Sequence, residues 1–152
     1  PMGAVLATDA IYQAFMQGPE QSIELFHGYT YSGHPVAAAA GLATLDVYRE
    51  EGSFDLAREL ETMFAEAIHQ FDDHPMVIDV RNFGLMGAIE LAPREGAPGA
   101  RGLDAHKHCF WDQDLVIRNG MDILQFSPFL NSKPDDIHSM FDSVRLVLDK
   151  IN

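Results

Sequence analysis

Two places in this sequence carry side chains suited to holding an anion. The segment 27–45, HGYTYSGHPVAAAAGLATL, sets the hydroxyls of Tyr29, Thr30, Tyr31 and Ser32 between Gly28 and Gly33, just ahead of an apolar stretch opening at Pro35. A helix start leaves backbone N–H groups unpaired and carries partial positive charge, so hydroxyls placed there suit a phosphate. The plainer reading is a turn whose hydroxyls bond their own backbone. The second place is Arg118, between Ile117 and the pair Asn119-Gly120 in an otherwise apolar run. A guanidinium buried there is costly without a partner, and its planar, permanently charged fork is a natural ligand for a carboxylate. The alternative is an edge-strand arginine in solvent.

Other chemically able side chains read as structural. His106 and His108 stand two apart, which on a helix points them to different faces, and no third ligand has suitable spacing. No metal site is expected. Cys109 sits beside Phe110 and Trp111 and reads as a small buried hydrophobe, with no second cysteine to pair with. Arg81 reads as a structural cation paired with a buried carboxylate or carbonyl, and His34 as a packed turn residue.

Size and charge bound the rest. A chain of 152 residues is one domain or slightly more, able to bury roughly 68–70% of its unfolded surface. Ten basic against 23 acidic side chains give a net charge of −13, which argues against nucleic acid and anionic membranes as partners. No apolar run approaches the ~20 residues of a membrane span. The chain reads as a soluble, cytoplasmic protein, since one cysteine fits a reducing compartment.

The elements that must position these groups follow from periodicity. Gly3 to Ala7 suggests a short buried strand, and Asp9 a cap for a helix carrying Ile11, Tyr12, Phe15 and Met16. Pro35 opens a helix with no polar face for about two turns, which implies burial on all sides, and Gly52 ends it. From Ser53, the residues Phe54, Ala57, Leu60, Phe64, Ala67, Ile68 and Phe71 fall at spacings of three and four, an amphipathic packing helix. Met76 to Arg81 and Leu85 to Leu91 look like neighbouring strands. A loop at 94–102 precedes a helix over 103–114, and Asn119-Gly120 gives a hairpin signal between flanking strands. Ser132 and Asp135 suggest a capped final helix with its stripe on Ile137, Met140, Phe141, Val144, Leu148 and Ile151. The order predicts an α/β chain of α+β character, with a short, mostly antiparallel sheet covered by helices.

Three segments carry a family resemblance: PMGAV at 1–5, TYSGHP at 30–35 before the small-residue helix, and VIRNGMDILQF at 116–126. In this order, and spanning the whole chain, they resemble the class III aminotransferases, pyridoxal-phosphate enzymes of fold type I. The subgroup acting on ω-amino acids and pyruvate is nearest. The resemblance implies that residues 1–52 form the end of the cofactor-binding large domain and a linking helix, and residues 53–152 the small C-terminal domain. It implies that Thr30 binds the phosphate of pyridoxal 5'-phosphate in a neighbouring subunit's site, with Gly28, Tyr29 and Ser32 accessory. Arg118 then binds the carboxylate of a small amino or keto acid. It also implies a homodimer or higher oligomer. Two departures stand out: Asn82 occupies a position that is glycine in many relatives, and Asn119 alters the turn beside Arg118.

One element of such an enzyme has no counterpart. The family's Schiff-base lysine is not assignable, because the only lysines are Lys107, Lys133 and Lys150, so no catalytic residue is assigned in this chain. By resemblance that lysine lies just upstream of Pro1, and the isolated chain is expected to be inactive. The parent reaction would pass an amino group from an ω-amino acid or amine to pyruvate. Two rivals remain: a tautomerase-like enzyme using Pro1 as base, and a non-catalytic dimerisation or interaction module.

Overall fold

The computed structural model describes residues 2–22, 25 and 28–151. Pro1, on which the tautomerase reading depends, and His27 lie outside the described residues. The chain divides into two compact units, Pro1–Glu50 and Glu51–Asn152.

The first unit holds α1 (Asp9–Phe15) and α2 (Pro35–Glu50). Residues 2–8 form no strand and are exposed, Val5 by 98% and Leu6 by 91%. An apolar run becomes a strand only when another strand accepts its backbone hydrogen bonds, and none of the described residues pairs with this one. Thr8, not Asp9, stands at the N-cap of α1, and Asp9 instead accepts from Gln13 Nε2 at 3.3 Å.

Helix α2 forms for local reasons. Pro35 sits where a missing N–H costs nothing, four consecutive alanines favour the helix, and Arg49 pairs with Asp46 at 2.9 Å in the last turn. Gly52, at φ +62°, supplies the left-handed residue after it. Burial on all sides is not observed: no residue of α2 is buried, and Leu42 is 66% exposed. Among the described residues, Met2 to Ala4 lie beside it, with the Met2 thioether 2.8 Å from where a Gly41 Cβ would stand.

The second unit has a core. It contains α3 (Ser53–His69), β1 (Val77–Phe83), β2 (Met86–Leu91), α4 (Ala100–Gln113), β3 (Arg118–Gly120), β4 (Ile123–Phe126) and α5 (Pro134–Lys150). The four strands form an antiparallel sheet in the order β1-β2-β4-β3. Side chains alternate across it. Ile89, Leu91, Leu124 and Phe126 turn inward to meet Leu60, Phe64 and Ile68 of α3 and Ile137, Phe141, Val144 and Leu148 of α5. Phe141 lies 5.2–6.0 Å from the rings of Phe126, Phe64 and Phe71, and burying each such side chain stabilises by about 1.5–3 kcal/mol. Gly87 has no Cβ because Phe64 and Ile68 press directly on its strand. Phe54, expected on the packing face, is 59% exposed.

Three boundaries differ from expectation. The hairpin turns at Met121-Asp122, with Met121 at φ +58°, while Asn119 and Gly120 pair with Leu124 and Ile123 inside the ladder. The Asp122 carboxylate explains this shift, because it accepts from the Gly102 and Gly99 N–H groups at 2.9 and 2.5 Å. The same bonds cap α4, which therefore starts at Ala100 and not at Leu103. In α5 the capping carboxylate is Asp136, accepting from Lys133 N–H at 2.8 Å, one residue beyond the expected Ser132/Asp135 pair.

Candidate functional site

The phosphate candidate is a single turn at the head of α2. Ser32 N–H donates to the Tyr29 carbonyl at 2.9 Å and His34 N–H to Tyr31 at 3.2 Å, so the backbone closes the turn by itself. The Thr30 and Ser32 hydroxyls form no hydrogen bond with the described residues, and no acidic side chain occupies the first turn of α2. The Tyr31 and His34 rings stack at 6.0 Å. Gly33 takes φ +70°, which a glycine adopts without strain. Hydroxyl donors at a helix N-terminus whose first turn carries no acidic side chain fit a phosphate group. Gly28, Tyr29, Thr30 and Ser32 thus come together, all exposed. No lysine falls in this unit.

The carboxylate candidate lies on the sheet face opposite the core. Cross-strand pairing sets Arg81 against Ala88, Ala88 against Gln125, and Gln125 against Arg118, so these four residues form one row on one face. The row places an arginine on each edge strand, with backbones about 14 Å apart at three strand spacings. Between them is a concave pocket of about 530 Å³ lined by Arg81, Phe83, Met86, Ala88, Arg118 and Gln125 among others.

The two arginines are in different electrostatic states. Arg81 donates to Asp79 and, at 3.0 Å, to Glu90, and these bonds, Asp79 first, hold its pKa above the usual arginine value. Its partners are half-exposed, not the buried group expected from the sequence. Arg118 is exposed on the edge strand, and none of the described residues pairs with it. Its guanidinium carries a full positive charge facing an apolar wall, an arrangement that accepts a single carboxylate. Asn119 turns to the opposite face and does not obstruct it. Phe83, 84% exposed in this pocket, was missed because alternation fixes its face only once the register is known.

The remaining candidates hold structural posts. His106 Nδ1 donates to the Ile117 carbonyl at 2.8 Å, and His108 Nδ1 pairs with Asp112 at 2.8 Å. Among the described residues no three His, Cys, Asp or Glu side chains gather as a metal-holding group, and no helix is long and apolar enough to cross a membrane. Cys109 is fully buried, and burial pushes its thiol up to about 11, so thiolate chemistry is suppressed near neutral pH.

The open face of the helix-backed antiparallel sheet presents an arginine without a partner among the described residues, and a hydroxyl-rich turn precedes α2, two places whose chemistry suits an anion. The particular family follows from comparison: residues 1–148 match the family model for aminotransferase class III, and the chain belongs to that family. It is 49% identical over 152 residues to an omega-aminotransferase of Caulobacter vibrioides, covering 100% of this chain and 34% of that protein. It is 46% identical over 153 residues to an omega-amino acid–pyruvate aminotransferase of Pseudomonas putida, covering 99% and 34%. Among solved structures it resembles the omega transaminase from Pseudomonas jessenii in complex with PMP, at 29% identity and a TM-score of 0.76, covering 84% of this chain and 29% of that one. The chain spans about a third of the length of the curated relatives it matches. The class III match lends nothing to the Pro1 tautomerase reading.

Proposed function

We propose that this chain supplies the carboxylate-recognising and phosphate-holding parts of a pyridoxal-phosphate transaminase that moves an amino group from an ω-amino acid or amine to pyruvate. The observation that carries this reading is Arg118, an unpaired guanidinium on the wall of a partly apolar pocket. Its fork binds the carboxylate of the amino or keto acid and so fixes which end of the substrate reaches the reacting carbon. Arg81, the other arginine of the row, is already occupied by Asp79 and Glu90, which leaves charge for one carboxylate and suits a monocarboxylic acceptor. The names of the relatives, an omega-amino acid–pyruvate and a beta-alanine–pyruvate aminotransferase, support the same substrate class.

Thr30 donates to the cofactor phosphate, with Ser32, Tyr29 and the Gly28 backbone completing the turn. When bound, pyridoxal phosphate supplies the electron sink that lets an amino group exchange with a keto oxygen. This cofactor lies in the site of a neighbouring subunit, and the exposed apolar side chains of α2 form part of the homodimer interface. Residues 1–52 are the end of the large domain and its linking helix, and residues 53–152 the small domain. Buried, unpaired Cys109 fits the cytoplasm. No lysine of this chain stands in the first unit, so the purified chain alone has no transaminase activity.

Kinetics of the assembled enzyme test the reading. Arg118→Ala should lower kcat/KM for β-alanine and pyruvate roughly 10- to 100-fold, as expected for losing a hydrogen bond to a charged group worth about 1.5–3 kcal/mol. The half-reaction with a carboxylate-free amine should keep its rate. An equal loss in both would assign Arg118 to general stability and reject the proposal.

A further inference from the structure

The route of the chain between α4 and β4 makes one helix face responsible for where Arg118 sits. After α4 the backbone reverses at Asp114, in the left-handed region at φ +51°, and runs back along the helix it has just left. Four bonds at three points fasten it there. Leu115 N–H donates to the Cys109 carbonyl at 2.9 Å, His106 Nδ1 donates to the Ile117 carbonyl at 2.8 Å, and the Asp122 carboxylate accepts from Gly102 N–H at 2.9 Å, with Gly99 N–H beside it. As the segment advances through 115, 117 and 122, its partners retreat through 109, 106 and 102, steps of three and four that define one face of a helix. The fit is close: a Cβ on Gly102 would drive into the Met121 carbonyl oxygen.

Arg118 stands between the second and third of these fastenings. Its own β3 ladder is only three residues long, and β3 is the edge strand, so the sheet holds it from one side alone. The bond from His106 meets the peptide directly preceding Arg118, at a residue 4% exposed. A carbonyl can only accept, so the proton is on His106 Nδ1. We propose that His106 is a positioning residue for Arg118, acting with Asp122 as a two-point clamp that fixes the guanidinium toward the pocket on the sheet face. Neither residue faces that pocket, and the clamp acts only through the backbone. The proposal rests on Arg118 being the carboxylate ligand.

Titration of the isotope-labelled 152-residue chain with pyruvate, following the Arg118 Nε–H resonance, tests it. The wild type should show a saturable shift. His106→Phe, which keeps a ring and removes the donor, should bind roughly tenfold more weakly, the scale of effect expected from slight misplacement of a binding group. His106→Asn, with its amide near the place of Nδ1, should restore the wild-type response. A Phe variant that binds like the wild type overturns the proposal, and so does a loss that Asn does not restore, since that is a packing effect. Absence of any Arg118 response in the wild type overturns both this inference and the reading of Arg118 beneath it. A response that is normal in the wild type and in both variants overturns the clamp alone.

Discussion

Helices α2 and α3 have almost the same length, 16 and 17 residues, and opposite circumstances. Helix α3 buries Leu60, Phe64, Ala67 and Ile68 against a sheet and a second helix, whereas α2 buries nothing. Isolated helices of this size are marginal in water even when rich in alanine, so α3 is held by tertiary packing, whereas α2 has no buried side chain to add to its backbone. The two anion candidates inherit the difference. Arg118 belongs to a unit with a closed core, and its pocket is formed by that unit's own strands. Thr30 belongs to a turn at the head of a helix whose apolar side chains, Val36, Leu42 and Leu45, face solvent. The proposed carboxylate site is therefore lined by one unit's strands alone, whereas the proposed phosphate site sits at the head of an uncovered helix.

Perturbing each region separately sharpens this contrast. The largest effect is expected from Phe64→Ala, which empties the centre of the second unit: chemical denaturation should show a loss of about 3–5 kcal/mol. A loss below about 1 kcal/mol would mean the core does not depend on this packing. A smaller effect should come from Asp112, whose carboxyl is held below the usual carboxylate range by a hydrogen bond from Lys150 and then one from His108, tying α4 to α5. A depressed folded pKa gives stability that is present above the unfolded value of about 3.9 and lost as pH falls through the folded one. Asp112→Asn should therefore lower the denaturation midpoint at neutral pH, and the gap to wild type should close on acidification. The smallest effect belongs to α2: Leu42→Ala should change the chain's stability by less than about 0.5 kcal/mol, because a 66% exposed side chain has little burial to lose. If it costs as much as a core truncation, α2 is packed and the contrast fails.

The helices were legible because their stripes repeat at three and four residues, and burial at Leu60, Phe64, Ala67, Ile68, Ile137 and Phe141 follows those stripes. Pairing of the first two strands was legible from their apolar runs, but β1 continues past Arg81 through Asn82 and Phe83, and the turn falls at Gly84-Leu85, with Gly84 at φ +56°. What escaped depends on partners distant in sequence. Asn119-Gly120 is the stronger local turn signal, yet the turn falls two residues later because Asp122 is bound by the head of α4. Composition marked α2 as buried and Gly3 to Ala7 as a strand, but apolar side chains record what a segment can pack against, not what is there. The setting of Arg118, exposed on an edge strand and not buried in an apolar run, was legible only as the alternative reading. The relation of Arg118 to Arg81 was not legible, since a row across four strands exists only after the register of three ladders is set.

The difference between the two regions is tested most directly by residue-resolved hydrogen exchange on the 152-residue chain in solution. The account predicts strong protection of backbone amides in α3, β2, β4 and α5, and exchange in α2 close to that of an unstructured peptide. Equal protection of α2 and α3 in a monomeric chain would contradict it, because α2 would then draw its stability from within the chain.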